Sequence, residues 1–315
     1  VTLFAVSQVF SACAVNYYML MAARLGVACA HAVFWSIITP LAVRVAPSSK
    51  SSLALSMVGM GTSVAMIFGM PCGRMLGLAI GWRATFLAVG IVAFAVALCL
   101  AFVFPKLDAG KPFTLGKLPR LLRTRSLISM YLVTIVVITG YFAGYGYIEP
   151  FFQQVAGLSD GAITFALVLF GVAGLAGSLL FARLGNVTLA TFARFACAGI
   201  AASLLMMAAA AAGGEVASCA VCVLWGLAAS LFNVTFNAAV IKCSPEGASS
   251  VAMSMYSGLY NLGIGTGTWL GGVVTANAGI EFIGYVGGAL AVAGFAYCCA
   301  RFVPLLRKVR HPQIG

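Results

Sequence analysis

Residues 46–57, APSSKSSLALSM, return 198 positions later as SPEGASSVAMSM over 244–255. Pro47 lies over Pro245, and Ser51 and Ser52 lie over Ser249 and Ser250. Ala54, Ser56 and Met57 lie over Ala252, Ser254 and Met255. In the same register Gly69, Gly73 and Gly81 meet Gly267, Gly271 and Gly279, while Phe34 meets Phe232 and Arg44 meets Lys242. Self-similarity at a fixed offset is the signature of a duplicated architecture. Both copies enter from the same side, so the repeat is parallel, as in two-halved membrane transporters.

What lies around the repeat says which solvent it folds in. Of 315 residues, 63% are hydrophobic and 8% charged, and the mean hydropathy is +1.09. Soluble domains are about half apolar and a quarter charged. Apolar runs near the ~20 residues needed to cross a bilayer recur along the chain. They are too long and too continuous for barrel strands, which alternate over roughly 10 residues. Lipid permits only helices or closed barrels, so the fold class is an all-α polytopic membrane protein. The expected spans are 2–15, 18–45, 51–79, 83–104, 127–154, 160–184, 188–212, 216–242, 249–276 and 281–303, ten in all. They divide into an amino-terminal half (1–104, four helices), a basic loop (105–126) and a carboxy-terminal half (127–315, six helices). The repeat pairs the third span with the ninth, a shift of six. A duplicated six-helix unit gives twelve, so the reading is of a chain lacking the first two.

The charge of +12 follows this topology rather than a nucleic-acid surface. With loop 105–126 placed inside, fifteen of the 18 Lys and Arg fall on inner loops or inner helix ends, as the positive-inside rule requires. They suit anionic lipid heads. Arg83 is outer, and Arg24 and Arg74 lie within spans. The ten cysteines read as small apolar packing residues. Cys219 and Cys222 form a CxxC, but a structural zinc site needs four ligands and the only histidines are His31 and His311. No metal or cofactor is expected. With no nucleophile–base pair or cofactor loop, neither is an enzyme.

The segment GMPCGRMLGLAIGWR (69–83) sets Gly69, Gly73, Gly77 and Gly81 on one helical ridge, with Pro71 and Arg74 among them. Such a ridge lets another helix approach closely. Gly267 and Gly271 repeat it, whereas Pro71 and Arg74 become Trp269 and Gly272. The glycines therefore read as packing, Pro71 as a hinge and Arg74 as an outer-side charge.

Ionisable groups inside a membrane are costly and hence candidates for function. Arg24, His31 and Trp35 fall within about 20° of one helical face. That face lines a cavity or packs on a neighbour; Arg24 alternatively snorkels to head groups. His31 titrates near neutrality, so it reads as a proton relay or hydroxyl partner, against a neutral histidine bonded to an adjacent helix. Tyr141, Tyr145 and Glu149 follow i, i+4, i+8, with Pro150 ending the helix. Aromatic rings stack on a sugar's apolar face while a carboxylate accepts its hydroxyl protons. Glu149 equally suits proton coupling, or simple solvation at the outer surface. Asn233 and Asn237 share a face, and Tyr256, Tyr260 and Asn261 cluster on the next span. Helix gluing is their default reading.

The six-helix repeat and central basic loop resemble the major facilitator superfamily. RLGVACAHAVFWSI (24–37), GMPCGRMLG with GWRATF (69–86), YGYIEPF (145–151), GSLLFARLGN (177–186) and YSGLYNLGIGTG (256–267) look like the bacterial sugar efflux transporters of the SotB type, near the drug–proton antiporters. The likeness starts at that family's third helix. The loop GSLLFARLGN lacks the acidic residue common there. The resemblance implies a monomeric, multi-pass exporter in the bacterial inner membrane, taking sugar-like solutes by proton antiport. The alternatives are multidrug efflux and a truncated remnant that transports nothing. It matches Arg24 to a fourth-helix arginine implicated in proton coupling, links 69–83 to the antiporters' fifth-helix motif, and assigns spans 18–45, 127–154 and 216–242 to the central path. His31, Tyr141, Tyr145 and Asn233 then rank above the Tyr256 cluster.

Overall fold

The computed structural model of the chain describes residues 1–47, 51–105, 121, 123–184, 187–245 and 248–309, and among these the regular structure is entirely helical. Lys50, Lys106, Lys111, Lys117, Arg120 and Arg310 of the inner basic set, and nearly all of loop 105–126, lie outside the described residues. Two compact units emerge, one of residues 1–65 and 69–113, the other of 66–68 and 114–315.

The first unit contains α1 (Thr2–Ala12), α2 (Tyr17–Val45) and the long element α3 (Ser51–Val103). Asn16 starts α2, its side chain accepting the Met19 amide at 2.8 Å, which satisfies one of the donors a helix start leaves free. α3 is interrupted at Gly81, with φ 78° and ψ 160°. That conformation is nearly restricted to glycine, and it divides α3 into limbs 51–80 and 82–103. The backbone remains helical through Pro71. The bend expected at the proline is therefore at the glycine ten residues on, where no Cβ opposes it. α1 packs on α2, and also on the second limb of α3. A Cβ on Gly90 would stand 3.1 Å from a methyl of Val9 and 3.4 Å from the Ala5 carbonyl.

The second unit comprises α4 (Arg125–Tyr145), α5 (Ile148–Gln154), α6 (Asp160–Arg183), α7 (Leu189–Ala212), α8 (Gly214–Cys243), α9 (Ser249–Asn277) and α10 (Ile283–Tyr297), followed by a π-turn and α11 (Val303–Lys308). α4 packs against α9 and α10, α8 against α6 and α7, and α10 against α7. Small residues set these distances, because lipid supplies little hydrophobic drive between helices and close backbone approach must replace it. Gly267 faces the Thr139 carbonyl, and a Cβ on Gly271 would lie 2.6 Å from the Ala143 carbonyl. Polar groups add cross-helix links. Tyr131 donates to the Ala252 carbonyl at 2.9 Å, the Thr139 and Thr266 hydroxyls meet at 2.9 Å, and those of Ser178 and Ser230 at 2.6 Å.

Seven described helices are long and apolar enough to span a bilayer: Tyr17–Trp35, Pro71–Val103, Arg125–Gln154, Asp160–Arg183, Leu189–Ala212, Gly214–Cys243 and Ile280–Lys308. Four of the expected spans differ, each for an identifiable reason. Span 2–15 becomes the 11-residue α1, roughly 16 Å long against a core of about 30 Å. Spans 51–79 and 83–104 are limbs of one element. Span 249–276 forms the 29-residue α9, but its Ser, Thr, Tyr and Asn residues dilute its hydropathy.

The repeat register reappears in the backbone. Val45 ends α2 and Cys243 ends α8; Ser51 begins α3 and Ser249 begins α9. Gly81 and Gly279 both carry positive φ, 78° and 115°. Each pair stands 198 positions apart. Packing follows the same register: Gly90 receives α1, and its mate Gly288 receives Leu205 of α7.

Candidate functional site

In the first unit, α2 presents Arg24, His31 and Trp35. The Trp35 indole N–H donates to His31 Nε2 at 2.7 Å, one helical turn away. Beside this pair lies a cavity of about 290 Å³ lined by Val1, Phe4, Ala30, Phe34, Ala93 and Val96 together with the two rings. Its walls are almost wholly carbon, so His31 is not set among polar partners. Arg24 is engaged elsewhere. Its guanidinium donates to the Gln8 side chain at 3.3 Å and rests over the Phe86 ring at 5.1 Å. Gln8 is buried on α1, and sequence reasoning overlooked it. A lone glutamine in an 11-residue apolar helix was the available signal.

The second unit gathers a denser group. Tyr141 and Tyr145, one turn apart on α4, stack at 5.0 Å with their planes 24° apart. Trp225 of α8 meets both edge-on, at 5.6 and 6.0 Å. Phe170 of α6 closes the group, 5.2 Å from Tyr145. Gly144 makes room for the indole, since a Cβ there would come within 3.3 Å of it. On α9, Tyr260 packs against Tyr256 at 5.9 Å, and α9 lies along α4. Asn237 donates to the Asn233 carbonyl and side-chain oxygen at 2.8 and 3.0 Å. Tyr141, Tyr145 and Trp225 thus form one cluster, and Asn233 lies further along the Trp225 helix, α8. Trp225 was missed because one tryptophan within an apolar run carries no sequence signal.

The ladder from Tyr141 to Glu149 is not continuous. Gly146 and Tyr147 form a turn that ends α4, and Glu149 lies in the first turn of α5. The break therefore precedes Glu149. Pro150 sits within the opening turn of α5, where a missing N–H costs nothing.

The glycine ridges separate the two copies. Gly267 and Gly271 face α4, where a Cβ would meet the Thr139 and Ala143 carbonyls. A Cβ on Gly69, Gly73 or Gly77 would meet nothing within 4 Å, so no close helix approach exists there among the described residues. Pro71 and Arg74 are both buried.

Membrane-length helices joined by glycine-mediated packing define a polytopic α-helical membrane protein. Residues 1–256 match the Major Facilitator Superfamily, and the chain belongs to that family. Its fold is similar to that of the E. coli fucose:proton symporter, with TM-score 0.66 and 18% identity over 95% of this chain and 81% of that one. A second structure of that symporter, in the outward conformation, gives TM-score 0.60 at 18% identity over 95% and 80%. A bacterial homologue of the human lysosomal transporter Spinster, inward-facing and occupied, gives 0.56 at 17% identity over 97% and 77%.

Proposed function

We propose that this chain is a secondary transporter exporting sugars or similar small polar solutes across the bacterial inner membrane by alternating access, in antiport with protons. The Tyr141–Tyr145–Trp225 cluster with Asn233 carries the reading. Stacked rings accept the apolar face of a sugar, and a side-chain amide both donates to and accepts from its hydroxyls. Membership of a transporter family and likeness in fold to a fucose:proton symporter support it. Tyr141, Tyr145, Asn233, Asn237 and Trp35 are assigned to the substrate. His31, Glu149 and Arg24 are assigned to proton coupling. The bond from Trp35 needs an unprotonated His31 Nε2, so a proton arriving there releases the indole. The matched helix ends and the glycine pair Gly81 and Gly279 support two pseudo-symmetric halves of a twelve-helix plan, with domain limits 1–104, 105–126 and 127–315.

Multidrug efflux is the second reading, favoured by one observation: the carbon-walled cavity beside His31. Labelled-sugar efflux from everted vesicles, with and without a pH gradient, tests both readings. The sugar reading expects movement that accelerates with the gradient. Movement indifferent to the gradient removes antiport, and drug movement without sugar movement favours the second reading. A chain that moves neither is a non-transporting remnant.

A further inference from the structure

Two rigid donors in the second unit have no hydrogen-bond partner. The Trp225 indole nitrogen and the Tyr256 hydroxyl are both buried, with their residues 0% and 4% exposed, and no acceptor among the described residues reaches either. The Ser129 and Thr235 hydroxyls are also unmatched, but such groups can turn onto the carbonyl four residues back. Thr134 and Ser203 already do so, at 2.9 and 2.8 Å. An indole N–H and a phenol O–H are held too far from their own backbone for that. Leaving a buried donor unmatched forfeits its hydration without return, and native proteins do so seldom and usually for a reason. The edge-on rings of Tyr141, Tyr145 and Phe170 offer Trp225 only weak, second-order acceptors.

Both donors lie in the aromatic packing of α4, α8 and α9, which adjoin one another. Trp225 touches Tyr141 and Tyr145 of α4, and Tyr256 packs on Tyr260 of α9. We propose that the Trp225 N–H and the Tyr256 O–H are specificity-determining donors for the transported solute, each bonding one of its hydroxyl oxygens. The ligand class follows from the chemistry: a solute with an apolar face for the rings and at least two acceptors at its rim. A compact sugar has both, whereas an apolar cation has a face and no rim of acceptors. The proposal rests on the sugar reading and adds the two residues that would make it selective.

The test removes each donor while retaining its ring. Tyr256→Phe does this directly. Trp225→Phe also shrinks the ring, so the decisive variant carries 3-benzothienylalanine at position 225, in which sulfur replaces N–H. The full chain in nanodiscs is probed with L-fucose, D-xylose, D-galactose and lactose, and with rhodamine 6G as an apolar cation. Without ligand, both variants unfold at or above the wild-type temperature, because only an unmatched donor has gone. Each binds the preferred sugar about tenfold more weakly, the loss of one hydrogen bond, with rhodamine binding unchanged. Wild-type sugar affinity in both variants overturns the assignment and leaves the sugar reading standing. Ligand-free destabilisation overturns it too, since the donor then already has an internal partner or a bound water only. A wild-type chain that binds no sugar of the panel overturns the sugar reading and the assignment together.

Discussion

Gly73 and Gly271 are repeat mates in opposite surroundings, so one substitution should have opposite effects at the two sites. A Cβ added at Gly271 would stand 2.6 Å from the Ala143 carbonyl oxygen and 2.8 Å from two Tyr147 ring carbons. The carbonyl belongs to α4 and cannot swing aside as a side-chain tip can. Overpacking of this kind costs about 1–3 kcal/mol. At Gly73 the same Cβ meets nothing within 4 Å, and alanine gains roughly 0.5–1 kcal/mol over glycine in a helix. Gly90 lies between them, because its nearest neighbours at 3.1 and 3.3 Å are side-chain atoms of Val9 and Gln8, which can give way.

The expected order of stability is Gly73→Ala at or above wild type, Gly90→Ala close to it, and Gly271→Ala below. At about 2–4 °C per kcal/mol for a unit of this size, Gly271→Ala should lower the unfolding midpoint by roughly 2–12 °C. Thermal unfolding in nanodiscs, followed by thiol-dye labelling of buried Cys222 and Cys298, gives the readout. Gly73→Ala that destabilises as much as Gly271→Ala would refute the reasoning, and would mean that the assembled protein covers the first ridge.

Three further substitutions probe separate parts of the argument. Gly81→Ala forces a side chain into φ 78°, ψ 160°, a strain of about 1–3 kcal/mol; an unchanged midpoint in the same unfolding assay would show that the two limbs of α3 do not need that bend. Tyr131→Phe removes a buried donor to the Ala252 carbonyl and should cost about 0.5–1.5 kcal/mol, read as faster proteolysis after Lys242. In a chain whose only tryptophan is Trp35, emission should titrate with pH through His31 and lose that titration in His31→Gln. A profile unaltered by the substitution would detach Trp35 from the proton.

The fold was legible where physics is periodic. Apolar runs identified the solvent, and the 198-residue register matches the helix ends seen in the structure; Gly81, read as part of a packing ridge, instead carries positive φ like its mate Gly279. Two errors in the backbone reading share one cause. Pro71 and Pro150 were taken as breakpoints because proline lacks a donor, yet the breaks fall at Gly81 and at Gly146–Tyr147. Proline weakens one hydrogen bond, whereas glycine gives access to conformations closed to other residues. The site was legible in part. Tyr141 and Tyr145 reveal themselves by spacing, but Trp225 and Gln8 do not, because their importance comes from neighbours on other helices.

The repeat also separates scaffold from chemistry within one chain. Of the positions retaining glycine in both copies, 81 with 279 carry positive φ and 90 with 288 sit close against a neighbouring helix, while of 73 and 271 only Gly271 is closely packed among the described residues. Positions carrying candidate chemistry have diverged. Trp35 is the mate of Asn233, Val27 of Trp225, and His31 of Ala229. The same two stations on α2 and α8 hold an indole in one copy and an amide or an aliphatic in the other. If these stations serve only packing, moving each residue onto its mate's position should be tolerated in either direction, because the frames coincide. If they serve a solute and a proton, His31→Ala and Trp35→Asn should abolish transport while leaving the unfolding free energy within about 0.5 kcal/mol of wild type, the range usual for sites outside the packed core. Loss of folding in both variants would return the α2 face to the scaffold.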